Sequence, residues 1–430
     1  MVDLWLKDAK IVPENRIISI GIEDGRIVSL KKIAPKREEN INLRESVVLP
    51  GLIDTHVHFR DPGLTYKENF RTGTMAAAAG GFTTVIDMPN TIPPTNTVKA
   101  FKEKLKIADH KSLVDYSLHA GVGNLKEIES LFKLKPASFK LFMDLLDDAV
   151  LDEIFREIGK LNRENQKPLI SLHCEDKDTV TISTQKLQSK GRYKPEKYAD
   201  ARPPHAETIA VSNALKLARK YKLAIHICHV SVKESLQLIN EAKESGVNVT
   251  NEITPHHLFL DIKYLRKYGN LAKTNPPLRD PENKITLDLL NGVDIIGTDH
   301  APHTITEKME QNIWKAPPGI PNLETALPLF LTQINRRRIT FAHLKTLLCE
   351  NPASIFHLKG KGFIKEGMDA DFVVVDMKEE GVINPDKFKS KAKYSPFKGI
   401  SVKGMPVMTM VGGTLVADEG EILKNKGKYI

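Results

Sequence analysis

Cysteine is scarce. The chain holds three in 430 residues, Cys174, Cys228 and Cys349, far apart and with no CxxC pair, which excludes a disulfide framework and predicts reduced, buried thiols. No apolar run is long enough to span a bilayer. The opening stretch MVDLWLKDAKIVPENR meets charges too early to hold the apolar segment of a signal peptide, so a cytoplasmic location is expected. A Gly-rich phosphate loop after an early strand is also missing, which argues against a doubly wound dinucleotide-binding sheet. AAAAGGF at 76–82 reads instead as a helix stopped by glycine. Internal repeats, low-complexity tracts and RNA-binding or helix–turn–helix signatures are absent too. The net charge of +9 is therefore not read as a nucleic-acid footprint. It predicts a modest positive field suited to an anionic small molecule, and INRRRIT at 334–340 is expected to end a helix or face water.

What is present is a globular composition, 41% hydrophobic and 27% charged, on a chain long enough for a large barrel plus an accessory domain. Eight short β-rich runs recur: 51–57, 82–88, 114–120, 137–142, 169–175, 224–230, 247–253 and 293–299. Lys/Glu-rich helical segments such as LDEIFREIGKLNREN separate them. This is the pattern of an α/β chain folded as a (β/α)8 barrel of the TIM type. The two ends differ. ISIGIEDGRIVSLKKI predicts a hairpin turning at Asp24-Gly25, and DFVVVDM with ISVKGMPVMTMVGG resumes the same style near the other end. Residues 1–49 and 359–430 are thus expected to form one composite β-sandwich domain, with 50–358 as the catalytic barrel.

The polar residues can now be placed. In GLIDTHVHFRDPG, residues 51–63, Asp54, His56 and His58 are spaced two apart, so on a strand they share a face. Two adjacent imidazoles repel when protonated, and a divalent metal resolves that conflict, although such a pair alone is weak evidence. Other strand ends add to it. Lys140 interrupts an apolar strand, where a charged lysine is costly; it must snorkel, pair with an acid, or lose its charge, for example by carboxylation with carbon dioxide. His173, His229 and Asp299 sit at further strand ends, and a barrel gathers these on one rim. Taken singly, His173 reads as a core histidine and Asp299 as a helix cap. Beside a metal, Asp299 would both ligate and exchange protons with substrate. His226, at odd spacing from His229, is expected on the opposite face. His119, His205, His256 and His257 are read as structural or supporting.

DTHVHFRDPG, SFKLFM, LHCED, HICHVS, KTNPPLR and GTDHAPHT together resemble the dihydroorotases of the amidohydrolase superfamily, and the resemblance covers nearly the whole chain. It implies two zinc ions per chain, His56 and His58 holding one, His173 and His229 the other. Asp299 would ligate the first and act as general acid/base. Lys140, as N6-carboxylysine, would bridge the pair, with a bridging hydroxide as nucleophile. In some bacterial relatives an aspartate bridges instead, which makes Asp144 the rival, but SFKLFM resembles the carboxylated-lysine strand. Such a site carries a small net positive charge that suits an anionic substrate.

Arg60 is a fork that can grip a carboxylate bidentately, a group present in dihydroorotate and absent from dihydrouracil. By resemblance, His58, Asn90, Asn275 and His303 complete the substrate pocket, with backbone contacts from Pro318 and Gly319; many relatives carry an aromatic residue where Pro318 stands. The implied reaction is reversible cyclisation of N-carbamoyl-L-aspartate to L-dihydroorotate in pyrimidine biosynthesis. Allantoinase, or another cyclic amidohydrolase such as a hydantoinase, is the alternative enzyme, and an inactive scaffold is a third reading. Metal identity and association with an aspartate transcarbamoylase stay open.

Overall fold

Alternating apolar residues build the first sheet. Leu4–Ile11 (β1), Arg16–Glu23 (β2) and Arg26–Lys31 (β3) pair antiparallel. Asp24 and Gly25 turn the hairpin with φ of 48° and 72°, the two-residue geometry expected of that dipeptide. Asn40–Asn42 (β4) and Val47–Pro50 (β5) add to β1 in parallel. This computed structural model describes residues 2–35, 39–162, 167–191 and 193–430.

Leu52–Val57 (β6) starts the second architecture. It is followed by Phe82–Asp87 (β7), Asp115–Leu118 (β8), Ala120–Gly121 (β9), Phe139–Phe142 (β10), Leu169–His173 (β11), Ala224–Ile227 (β12), Val249–Ile253 (β13) and Ile295–Ile296 (β14). Neighbours pair in parallel around the ring. β8 and β9 are one stave interrupted at His119, whose ring turns inward to Thr55 O (2.9 Å) and Ser138 Oγ (2.7 Å). The ring closes where the His58 N–H donates to the His300 carbonyl at 2.8 Å. Eight staves with intervening helices make the (β/α)8 barrel; each stave falls within a run expected from the sequence, except that the third extends one residue past 114–120, to Gly121. The last is the shortest, because the chain leaves the ladder before Asp299.

The helices follow from local chemistry. In Val98–Lys111, Thr97 caps the first turn by accepting from Ala100 N. One stripe, Ala100, Phe101, Lys104 and Ala108, is buried. Phe70–Ala79 stops at Gly80, as AAAAGGF predicts, and INRRRIT begins at the end of Leu323–Asn335 with Arg336, Arg337 and Arg338 exposed. No helix among the described residues is long and apolar enough to cross a membrane.

Phe372–Val382 (β15), Ser401–Val411 (β16), Thr414–Asp418 (β17) and Glu421–Ile422 (β18) return to the first sheet. β15 lies antiparallel to β5, Val374 opposite Val48. One continuous β-rich sheet thereby runs β18-β17-β16-β15-β5-β1-β2-β3, with β4 paired to β1. It has its own core of Leu6, Ile20, Ile22, Val48, Phe372 and Val374. The barrel floor is plugged by Ile53, Ile86, Ile295 and Phe356.

A buried cation fastens the two parts. Lys361 Nζ lies 2.5 Å from Asp115 Oδ2 on β8, 2.9 Å from Asp369 Oδ2 and 2.6 Å from Asp371 Oδ2. Lys361→Met leaves three buried carboxylates facing one another, and should cost about 3–5 kcal/mol. A clearly lower midpoint of thermal unfolding is the expected result; an unchanged midpoint would refute the clamp.

Candidate metal and substrate site

His56 is the last residue but one of β6, and His58 lies just past its end. The turn that aims His58 is pinned from below: Phe59 N–H donates to Asp87 Oδ1 (2.6 Å), and Asp87 Oδ2 is held by Lys104 Nζ at 2.5 Å, both side chains fully buried. Asp54 accepts from His56 N (3.1 Å), Thr298 N (3.0 Å) and Thr298 Oγ1 (2.5 Å). It thus ties β6 to the segment leading to Asp299, and burial raises its pKa to about 7.

His56 Nε2 and His58 Nε2 stand 3.3 and 3.1 Å from the same Asp299 oxygen. Their other nitrogens are committed: His56 Nδ1 to Glu252 Oε1 at 2.8 Å, His58 Nδ1 to Asn90 Oδ1 at 2.7 Å. Both partners are acceptors, so each Nδ1 carries the hydrogen and each Nε2 can offer a lone pair inward, as a metal-binding histidine does. Burial opposes ionisation of Asp299, but His56 and His58 outweigh it and hold the carboxyl well below its usual range. Burial likewise opposes charge on His56, yet Glu252 and Asp299 push its pKa well up. Desolvation instead lowers His58 to about 4. The cluster calls for one cation, and a metal ion answers that demand without protonating a ligand.

The second half lies against the first. His173 Nδ1 and His229 Nε2 face each other at 3.0 Å, and the His229 ring centroid is 5.2 Å from that of His56. His229 Nδ1 is buried with no hydrogen-bond partner among the described residues. His173 Nε2 meets Glu175 Oε2 at 2.8 Å, and Glu175 is gripped by Arg202. Lys140, 2% exposed, hydrogen-bonds Cys228 Sγ at 2.9 Å, and no carboxylate pairs with it among the described residues. Asp144 is already bound to Arg202 at 2.5 Å and stays 3.8 Å from His173. Four convergent imidazoles, an ionised buried carboxylate and an orphaned ring nitrogen fit a metal centre.

The reading of His226 needs correction. β12 ends at Ile227, and His229 has φ of 37°, so strand parity does not extend to it. Glu252 meets both residues: the His226 ring brings Nε2 to 3.7 Å from Oε2, and the backbone N–H of His229 donates to Oε1 at 3.1 Å.

Every expected substrate contact lines one cavity of about 380 Å³: His58, Arg60, Asn90, Asn275, His303, Pro318 and Gly319, with His56, His173, His229 and Asp299. Lys140 is not part of its wall. Arg60 donates Nε–H to Pro302 O at 3.3 Å, and its NH2 lies 3.2 Å from His303 Nε2. Asn275 Oδ1 accepts from Tyr198 OH at 2.5 Å, leaving its amide N–H groups for a ligand. The backbone contacts are narrower than expected. Gly319 N–H is spent on Lys273 O (2.8 Å), and its carbonyl takes Lys308 Nζ (2.9 Å) and Tyr394 OH (3.0 Å). Pro318 has no N–H, so its carbonyl, already accepting from His303 at 2.9 Å, is the group with spare capacity. Only glycine fits position 319, where φ is 148° and a Cβ would meet Ala301 O at 2.2 Å.

Glu252 is the supporting residue that sequence reasoning passed over. It is the last residue but one of β13, as His56 is of β6, and an acid near the rim end of a barrel strand was the available signal. Replacing it with glutamine should weaken metal retention about 10- to 100-fold, read as metal content after dialysis against a chelator. Unchanged retention would make Glu252 a packing residue.

A family model described as the amidohydrolase family matches residues 47–416. The chain is 48% identical over 430 residues to the dihydroorotase of Methanothermobacter thermautotrophicus, covering 100% of this chain and 97% of that one. It is 49% identical to that of Methanosphaera stadtmanae, covering 100% of both. Among solved structures, the L-hydantoinase (dihydropyrimidinase) from Arthrobacter aurescens superposes with a TM-score of 0.94 at 32% identity, covering 100% of this chain and 99% of that one. Barrel, rim chemistry and relatives agree, and the chain belongs to the amidohydrolase family, among its dihydroorotases.

Proposed function

We propose that this site interconverts N-carbamoyl-L-aspartate and L-dihydroorotate, closing or opening the ring amide, as a step of pyrimidine biosynthesis. The observation that carries the reading is the placement of Arg60, His303 and Asn90 in the same cavity as Asp299. A guanidinium, a ring N–H and an amide converge where a substrate carboxylate would lie, beside an acid placed to move protons. Asn90 spends its Oδ1 on His58, which leaves its amide N–H groups for that carboxylate. The named relatives support the same reaction.

Two metal ions, proposed as zinc, would be held by His56, His58 and Asp299 on one side and by His173 and His229 on the other, with Lys140 carboxylated as the bridge. Asp144 is the weaker bridge because Arg202 holds it. Bound there, the metals supply Lewis-acid polarisation of the ring carbonyl and an acidified water. The protein does the rest. Arg60, Asn90 and His303 grip the carboxylate and so fix the ring carbonyl over the rim, while Asn275 and Pro318 O orient the ring amide. In hydrolysis, Asp299 takes the proton of the attacking water; the carbonyl carbon–nitrogen bond then breaks, and Asp299 delivers that proton to the leaving ring nitrogen. In the biosynthetic direction the steps reverse and water is lost.

Hydantoin hydrolysis is the second reading, because the L-hydantoinase fold superposes so closely. Simple hydantoins lack the carboxylate that Arg60 would grip. Asp299→Asn should reduce kcat about 10²- to 10⁴-fold with metal still bound; normal turnover would remove its acid/base role. Arg60→Met should raise KM for dihydroorotate strongly and leave carboxylate-free rings unaffected. Equal losses on dihydroorotate and on hydantoin would disprove the carboxylate clamp.

A further inference from the structure

His303 is caught between cations. Its Nδ1 lies 3.2 Å from Lys67 Nζ, and its Nε2 lies 2.9 Å from Pro318 O and 3.2 Å from the Arg60 NH2. An ammonium donates and never accepts. Nδ1 must therefore carry the lone pair and Nε2 the hydrogen, which in this structure goes to Pro318 O. Burial, with Arg60, Lys308 and Lys67 nearby, keeps the ring neutral. Arg60 is then a close cation to Nε2 rather than its hydrogen-bond donor, and both groups face the same anion site.

Lys67 is itself placed with care. It is buried at 9% exposure, and its Nζ also pairs with Glu307 Oε1 at 2.8 Å. Glu307 is fixed by Thr304, whose N–H and hydroxyl both donate to Oε2 at 3.0 Å. That same Oε2 is only 3.9 Å from His303 Nδ1. Without Lys67, the nearest strong partner for Nδ1 is a carboxylate, which would draw the hydrogen to Nδ1. The lone pair on Nε2 would then face the substrate's anion and repel it.

We infer that Lys67 is a positioning residue for substrate recognition: it holds His303 as an Nε2–H donor and screens it from Glu307, so that the ring can bind the substrate carboxylate. The inference rests on the carboxylate clamp proposed above. Lys67 touches neither the reacting atoms nor the metal ligands, so its loss should appear in KM rather than kcat.

The test uses the metal-loaded full chain with L-dihydroorotate. Lys67→Met should raise KM about 10- to 100-fold, the factor expected for losing one hydrogen bond to a charged group, with kcat within about threefold of the parent. Lys67→Arg should recover most of the loss. The double variant Lys67→Met/Glu307→Gln should also recover most of it, because the competing acceptor loses its charge; a residue that merely fills space would not be rescued by a change at its neighbour. Long-range 1H–15N correlation spectra of the parent supply a reading independent of any variant's folding. They should show His303 protonated at Nε2, and hydrogen at Nδ1 would overturn the inference. If Arg60→Met raises KM and Lys67→Met does not, the role of Lys67 fails alone. If neither does, the clamp itself fails.

Discussion

Four imidazoles packed ring against ring beside one carboxylate set the terms for the rest of this molecule. His56 lies with its centroid 5.3 Å from His58 and 5.2 Å from His229, and His229 is 4.7 Å from His173. They cannot all be charged. Each must present a chosen nitrogen inward; His56, His58 and His173 each have an outer partner that settles the tautomer, Glu175 being that of His173. Glu252 and Asn90 do this for His56 and His58. Lys67 does the same for His303, in a different part of the cavity. The outer partners in turn must be buried and held, which explains the expensive polar chemistry of this barrel: Lys104 against Asp87, Arg202 against Glu175, Thr298 against Asp54.

The barrel meets these demands because its staves end on one rim. Left-handed backbone at Asp299 and His229, φ of 46° and 37°, shows where the chain departs from strand geometry to aim a side chain. Such strain costs of order 1 kcal/mol or more per residue and persists only where the surroundings over-determine it. Here they do: Asp299 is flanked by two rings, and His229 N–H is held by Glu252.

The eight staves were legible in the sequence because each falls in a short β-rich run with a polar residue at or near its end. His56, His58, His173, His229 and Asp299 were legible because those residue types are conspicuous at such ends. Glu252, Lys104 and Lys67 were harder to see. Their roles come from which side chain they meet across the fold, and neither charge nor periodicity carries that information. His226 shows the limit of periodicity itself. The alternation rule holds along a strand, and β12 stops before the residue the rule was applied to. Gly319 was found as a pocket residue, yet its hydrogen bonds could not be read from PPGIP, because their partners Lys273, Lys308 and Tyr394 come from three distant segments.

The pairing of β5 with β15 has a consequence for the order of events at the ribosome. Some 320 residues separate Pro50 from Phe372, which lies directly opposite it. At roughly 5–20 residues per second, the first five strands wait between about a quarter of a minute and a minute for their partner. Throughout that interval β5 carries an open edge of apolar side chains, Val47, Val48 and Leu49, of the kind that recruits the wrong strand. The strand that leads into the barrel is thus also the one whose protection arrives late.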